Sequence, residues 1–144
     1  MPEKETLERA EKDKREGKAA STQAGEFVRE EIEHVREGKH GVRSTKQAIA
    51  IGLSKARRAG VKLPPPKKAS KKTREQAARD TRKAAGKGKK SAKRSRATLG
   101  ALKREGHSAA SKKALSRQAR NAAAKRSAAS RSRSAMKAAA TRKK

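Results

Sequence analysis

The chain has no cysteine, tryptophan or tyrosine, and one phenylalanine, among 144 residues. Without cysteine there is neither a disulfide framework nor a thiolate metal site. With Phe27 as the one aromatic, the stacking platforms on which single-strand and RNA modules hold bases are nearly missing. Large apolar side chains are scarce as well. Sixteen residues are Val, Ile, Leu, Met or Phe, and after Leu63 only Leu99, Leu102, Leu115 and Met136 remain. No apolar run approaches membrane-spanning length. The N-terminus opens on Pro2, Glu3 and Glu5 instead of a basic stretch and apolar core, so neither a membrane span nor a secretory signal is expected. The chain should stay in the compartment where it is made.

Acids are the last shortage, and an uneven one. Eleven of the fourteen fall in residues 1–37, and residues 38–144 set thirty-five bases against Glu75, Asp80 and Glu105 alone. The formal net charge is +29. A chain so positive repels itself and seeks a polyanion, because contact with phosphates releases their condensed counterions. Solubility alone would be served by a surface of mixed sign. Nucleic acid is the expected partner, and duplex phosphates need no aromatic residues to hold them.

Residues 3–16 alternate charge at helical spacing. Glu5 with Arg9, Glu8 with Lys12 and Glu11 with Arg15 are acid-before-base pairs four apart. With Leu7 as its only large apolar residue after Met1, this reads as a solvated, fraying helix that Gly17 stops. The next segment carries one apolar stripe of Phe27, Val28, Ile32 and Val35 beside Glu31. Ser21 or Thr22 can cap it, Glu26, Glu30, Glu31 and Glu33 fill its N-terminal half, and Gly38 ends it. Ser44 with Gln47 three later has the form of a capping box. The helix it opens places Ile49, Leu53 and Ala56 on one face, turned toward Ile32 and Val35, with Ala48, Gly52 and Ala59 alongside. Lys55, Arg57 and Arg58 sit in its last turn and Gly60 stops it. Val61 and Leu63 can then fold back on the helix pair.

The expected fold is mainly α: a charged helix over residues 1–20, a helical hairpin over 21–63, and a low-complexity basic tail over 64–144. A core spanning fewer than forty residues is usually too small to stand alone, so a homodimer through the hairpin would help it. Pro64, Pro65 and Pro66 form a stiff extended spacer. Beyond them the tail offers too little apolar surface to offset the entropy of ordering it, and its bases repel one another. It is expected to be disordered or weakly helical when free and to gain helix on DNA. One echo interrupts it: Lys14-Arg15-Glu16-Gly17 returns as Lys103-Arg104-Glu105-Gly106, each followed by a serine. Leu99, Leu102 and Leu115 flank the second copy, which gives a weaker second hairpin. In a composition this biased, chance repetition accounts for the echo about as well.

No constellation for catalysis is present, and no cofactor or small-molecule substrate is expected. His34, His40 and His107 lack histidine or cysteine partners at ligand spacing, and a zinc site at His34 and His40 would need carboxylates the sequence does not point out. They read as solvent-exposed or phosphate-contacting imidazoles. Gly86-Lys87-Gly88-Lys89-Lys90 lacks the spacing and the preceding strand of a phosphate loop and reads as basic linker. The candidate nucleic-acid contacts on the hairpin are Lys46, Gln47, Lys55, Arg57 and Arg58. Thr45, Lys46 and Gln47 stand where a recognition helix presents side chains to bases, although a packing helix with a basic outer face is the plainer reading. In the tail the candidates are Lys67, Lys68, Lys71, Lys72 and Arg74, then Lys89, Lys90, Lys93, Arg94 and Arg96. Lys112, Lys113, Arg117, Arg120, Lys125 and Arg126 complete the set.

Gly25-Glu26-Phe27-Val28-Arg29-Glu30-Glu31, Gly38-Lys39-His40-Gly41 and the run from Ser44-Thr45-Lys46-Gln47 to Gly60 resemble a small bacterial family of unknown function. Its members pair such a domain with a basic tail. From Pro64 on, the composition is similar to the Lys/Ala-rich tails of bacterial histone-H1-like proteins. These resemblances imply a cytoplasmic, nucleoid-associated bacterial protein. Together the readings give a non-enzymatic protein that binds duplex DNA, with two rivals: an RNA- or ribosome-associated basic protein, and a module that docks a protein partner through the acidic helix of its hairpin.

Overall fold

A computed structural model describes residues 2–86 and 88–143 and contains, among them, seven α-helices and no strand. They are α1 Lys4–Arg15, α2 Ala20–Arg36, α3 Thr45–Arg58, α4 Lys71–Ala85, α5 Ala92–Lys103, α6 Lys112–Ala124 and α7 Ala128–Arg142, with a 3-10 turn at Ser108–Ala110 before α6. The centre is the expected α2–α3 hairpin. α1 lies on α2, α4 on α3, and the turn before α6 packs at the loop end of the hairpin, against the end of α2 and the start of α3.

The helix boundaries follow local chemistry. Gly17, Gly38 and Gly60 stop the first three helices at φ of +71°, +76° and +97°, backbone that glycine adopts without strain. The Ser44 hydroxyl accepts the Gln47 amide at 3.2 Å. The Gln47 side chain reaches back one residue beyond the box, to the Arg43 amide at 2.7 Å. The start of α2 corrects the sequence reading: its N-cap is Ala19, without a side-chain cap bond, and Ser21 and Thr22 lie inside the first turn.

Few large side chains meet at the core. One cluster joins Ala10, Ala24, Phe27, Ala56 and Val61, with Leu53 and Leu63 partly buried against it. The other joins Ile32, Val35, Val42, Ala48 and Ala110, with Val28, Ile51, Leu102, Ala109 and Leu115 at its edge. Leu53 therefore packs against the cluster that holds Phe27 and Ala24 instead of the one that holds Ile32 and Val35. The buried face of α3 is Thr45, Ala48, Gly52, Ala56 and Arg57, a row of small residues that lets α2 come close. A Cβ built on Gly52 would lie 2.6 Å from the Val28 Cα.

Two further expectations are corrected by packing. α1 is not a solvated helix. Its Thr6, Ala10 and Asp13 face is buried, and Leu7 is the side left 41% exposed. Small residues at i, i+4 and i+7 carry this contact, which a search for large apolar residues passes over.

The second correction concerns the tail, which is helical in the unliganded chain. Ser70, Ser91, Ser111 and Ser127 cap α4 to α7, each hydroxyl accepting the backbone amide three residues on. Alanine-rich sequence supplies the propensity. Parts of the tail also contribute to the core. Ala77 and Asp80 of α4 are buried on α3. The Gly41 amide donates to the Leu102 carbonyl at 2.9 Å and the Val42 amide to the Gly106 carbonyl at 2.9 Å. Arg36 donates to the Ala110 carbonyl at 2.8 Å and the Thr45 hydroxyl to the Ala109 carbonyl at 2.6 Å. The echo segment is thus a real helix–turn–helix pair, docked on the hairpin. α5, α6 and α7 themselves contribute no fully buried residue.

Two glycine substitutions separate close approach from helix propensity. Gly25 in α2 has open space around its Cβ position, whereas Gly52 meets Val28. Gly25→Ala should stabilise the chain by about 1 kcal/mol. Gly52→Ala should destabilise it by roughly 1–3 kcal/mol despite the same propensity gain, because helix backbones must move apart. Thermal unfolding followed by circular dichroism checks both, and equal shifts would mean that α2 and α3 do not meet at Gly52.

Candidate nucleic-acid interface

Of the hairpin bases singled out by sequence, Lys46 and Arg58 are exposed, Lys55 is partly buried and Arg57 is buried. Lys46 is exposed in the first turn of α3. Its neighbours Thr45 and Gln47 are used internally, in the Ala109 bond and the Arg43 cap. Lys55 lies 2.7 Å from Glu31 and 3.4 Å from Glu30. Arg57 is buried and donates to the Leu63 and Pro64 carbonyls at 3.3 and 3.4 Å, fixing where the proline spacer leaves α3. Arg58 holds Asp80 at 2.8 Å. Lys55, Arg57 and Arg58 thus all make contacts within the fold, Arg58 from a side chain that stays 44% exposed.

The tail candidates lie on the surface. Lys71, Lys72 and Arg74 are exposed in the first turn of α4, and Lys67 and Lys68 in the turn before it. Lys89, Lys90, Lys93, Arg94 and Arg96 are exposed around the start of α5, and Lys112, Lys113, Arg117 and Arg120 along α6. Lys87 of the glycine–lysine run lies outside the described residues. Lys125 and Arg126 follow α6, where Arg126 bonds to Ser130 and Ser134 of α7. Docking brings two distant candidates together: Lys46 and Lys125 flank a shallow cleft of about 420 Å³ with Gln118 and Asn121. A smaller concavity of about 250 Å³ on α4 has Arg79 and Arg82 in its wall. These two arginines, and Arg131, Arg133, Lys137 and Arg142 of α7, are exposed bases that the sequence reading did not single out. The spacing of Arg79 and Arg82, three apart on one face, was the available signal.

The acids have the opposite fate. Glu26 lies 2.8 Å from Arg9, Glu33 is 2.9 Å from Arg29, and Glu30 and Glu31 are 1% exposed. Under the α2–α3 loop the two buried glutamates meet Lys55 and both histidines. His40 Nε2 is 3.0 Å from Glu31 Oε1, and His34 Nε2 is 2.9 Å from Glu3 Oε1 and 3.9 Å from Glu30. Lys39 approaches Glu3 at 3.0 Å. The His34 hydrogen bond first, and Lys39 after it, hold the Glu3 carboxyl down at about 2. Glu31, His34 and His40 bring three donor atoms within 4.8 Å of one another. Sequence reading treated the two histidines as exposed and lacking a carboxylate. Glu31, one turn before His34, supplies it, and the i, i+3 spacing was the overlooked sign.

Residues 12–68 match the model of a family of unknown function (DUF6496). The match runs from the end of α1 through the hairpin and stops before α4. It contains all the residues on which the sequence resemblance rests, and the basic helices α4 to α7 lie outside it. No curated protein and no solved structure matches the chain. Among the described residues no helix is long and apolar enough to cross a membrane.

Asp80 joins the two regions, and its protonation should be felt in stability. Burial pushes the carboxyl up, but hydrogen bonds from Arg58, Ser54 and Gln76, with the Arg58 charge, pull it further down, below the ordinary value of 3.8. A lowered folded-state value means a contribution that is complete above 3.8 and disappears as pH falls through the folded value beneath it. Asp80→Asn should cost about 1–2 kcal/mol at neutral pH and flatten the acid limb of the stability–pH curve. An unchanged acid limb would show that this contact does not hold α4.

Proposed function

We propose that the protein is a non-enzymatic, nucleoid-type DNA-binding protein that grips the duplex phosphate backbone with its basic helices. The observation that carries the reading is a surface charge with no internal counterpart. Residues 64–144 hold twenty-eight bases and three acids. Asp80 and Glu105 are directed to Arg58 and Arg43, on the hairpin side, and Glu75 is 4.0 Å from the neighbouring Lys71. The bases on α4 to α7 are left facing solvent on helices.

Division of labour follows. The hairpin holds the assembly together and contributes Lys46 beside Lys125, and the outer helices contribute affinity. With no aromatic platform and no free polar row on α3, recognition is of charge and shape, with little base readout. The acidic-helix docking reading is the less favoured one: Glu26, Glu30 and Glu31 are largely covered within the chain, whereas Glu33 and Glu37 stay partly exposed beside Arg29 and Lys39. RNA remains the competing polyanion, and the missing aromatics favour the duplex.

Binding to duplex DNA should fall steeply with salt. Contacts to about six to ten phosphates give a loss of roughly 10³–10⁵-fold between 50 and 200 mM salt. A log–log slope near zero would remove the electrostatic reading. Competition decides the polymer: structured RNA of equal phosphate content should displace the duplex poorly, and displacement at parity or better would put RNA in its place.

A further inference from the structure

The charged centre under the α2–α3 loop is not used by the basic surface. Glu31 and His34 stand one turn apart on α2 and His40 returns from the loop, with one donor atom of each within 4.8 Å of the others. Glu31 is 1% and His40 7% exposed. His40 Nδ1 lies 3.0 Å from the Gly41 carbonyl oxygen, which can only accept. Nδ1 therefore carries the hydrogen, and Nε2 of a neutral His40 is a bare lone pair. That lone pair points at the Glu31 carboxylate 3.0 Å away. Two acceptors hold that separation in a buried site only with a positive centre between them, either a proton or a metal ion.

The charges around the centre leave room for a cation. Glu3, Glu30 and Glu31 converge there, met by the ammonium groups of Lys39 and Lys55. With neutral histidines one negative charge is uncompensated, and burying such a charge is costly.

We infer that Glu31, His34 and His40 form a binding site for a divalent transition-metal ion of the zinc, cobalt or nickel class. Two imidazoles and a carboxylate are the donors such ions take. Bonds of about 2.0–2.2 Å at tetrahedral angles set donor atoms roughly 3.3–3.5 Å apart, a few tenths of an ångström beyond the present His40–Glu31 contact. The outer contacts orient the ligands: the Gly41 carbonyl fixes the His40 tautomer, Lys55 steadies the second Glu31 oxygen at 2.7 Å, and Glu3 meets His34 at 2.9 Å. The His34 side chain is 14% exposed, so the centre is not sealed from solvent. Metal there would tie the end of α2 to the loop on which residues 102–106 dock.

Metal-free full-length protein titrated with Zn²⁺ at neutral pH, by calorimetry and by NMR of the histidine rings, tests the site. One equivalent should bind, the His34 and His40 ring signals should shift, and those of His107 should stay. His40→Gln, which removes a direct ligand, should weaken binding by about 100-fold or more, at or beyond the upper end of what loss of an outer contact costs, and His107→Gln should leave it unchanged. Absence of uptake, a shift at His107 instead, or undiminished binding by folded His40→Gln would overturn the assignment and leave a proton between His40 and Glu31. Should His40→Gln not fold, the wild-type ring signals decide the matter alone.

Discussion

Helices that carry almost no large side chains can bury surface only by bringing their backbones together, and this constraint shapes the whole molecule. At the α2–α3 crossing Gly52 sits on the Val28 backbone, and at the loop a Cβ on Gly41 would fall 1.9 Å from the Glu105 carbonyl oxygen. Ala24, Ala48, Ala56, Ala77 and Ala110 fill the remaining interfaces. Each gains little alone, since a buried methyl contributes about 0.8 kcal/mol. The contacts are therefore spread along the sequence, from Thr6 to Leu115, and no short segment holds the core.

The same constraint decides what the sequence could show. The hairpin was legible because its signals are local: a periodic stripe at Phe27, Ile32 and Val35, a serine cap at Ser44, and glycine stops at Gly38 and Gly60. The burial of α1 was not, because Thr6, Ala10 and Asp13 look like a polar face until a neighbour is known. Order in the tail was missed for a related reason. Counting large apolar residues finds four after Leu63, but Ala77, Ala109 and Ala110 do the packing, and the bonds to tail carbonyls from the Gly41 and Val42 amides and the Arg36 and Thr45 side chains have no sequence pattern.

Charge divides by the same geometry. Bases near the hairpin axis, Lys55, Arg57 and Arg58, are drawn into ion pairs and carbonyl contacts, whereas those on the outer helices keep their heads in water. A sequence assigns the same chemistry to both groups. Only the docking of α4 and of the turn before α6 tells which lysines and arginines stay at the surface, and it does so by fixing these elements to the hairpin.

That fixed attachment is the central claim, and amide hydrogen exchange at Gly41 and Val42 measures it most directly. Both amides lie in the α2–α3 loop and donate to carbonyls of Leu102 and Gly106, 61 and 64 residues away. The account predicts exchange slowed about 10³-fold or more relative to a free peptide, as for amides opened only with the fold itself. Exchange at the free-peptide rate, with the α2 and α3 amides still protected, would mean that the tail is not docked and the basic surface has no fixed form.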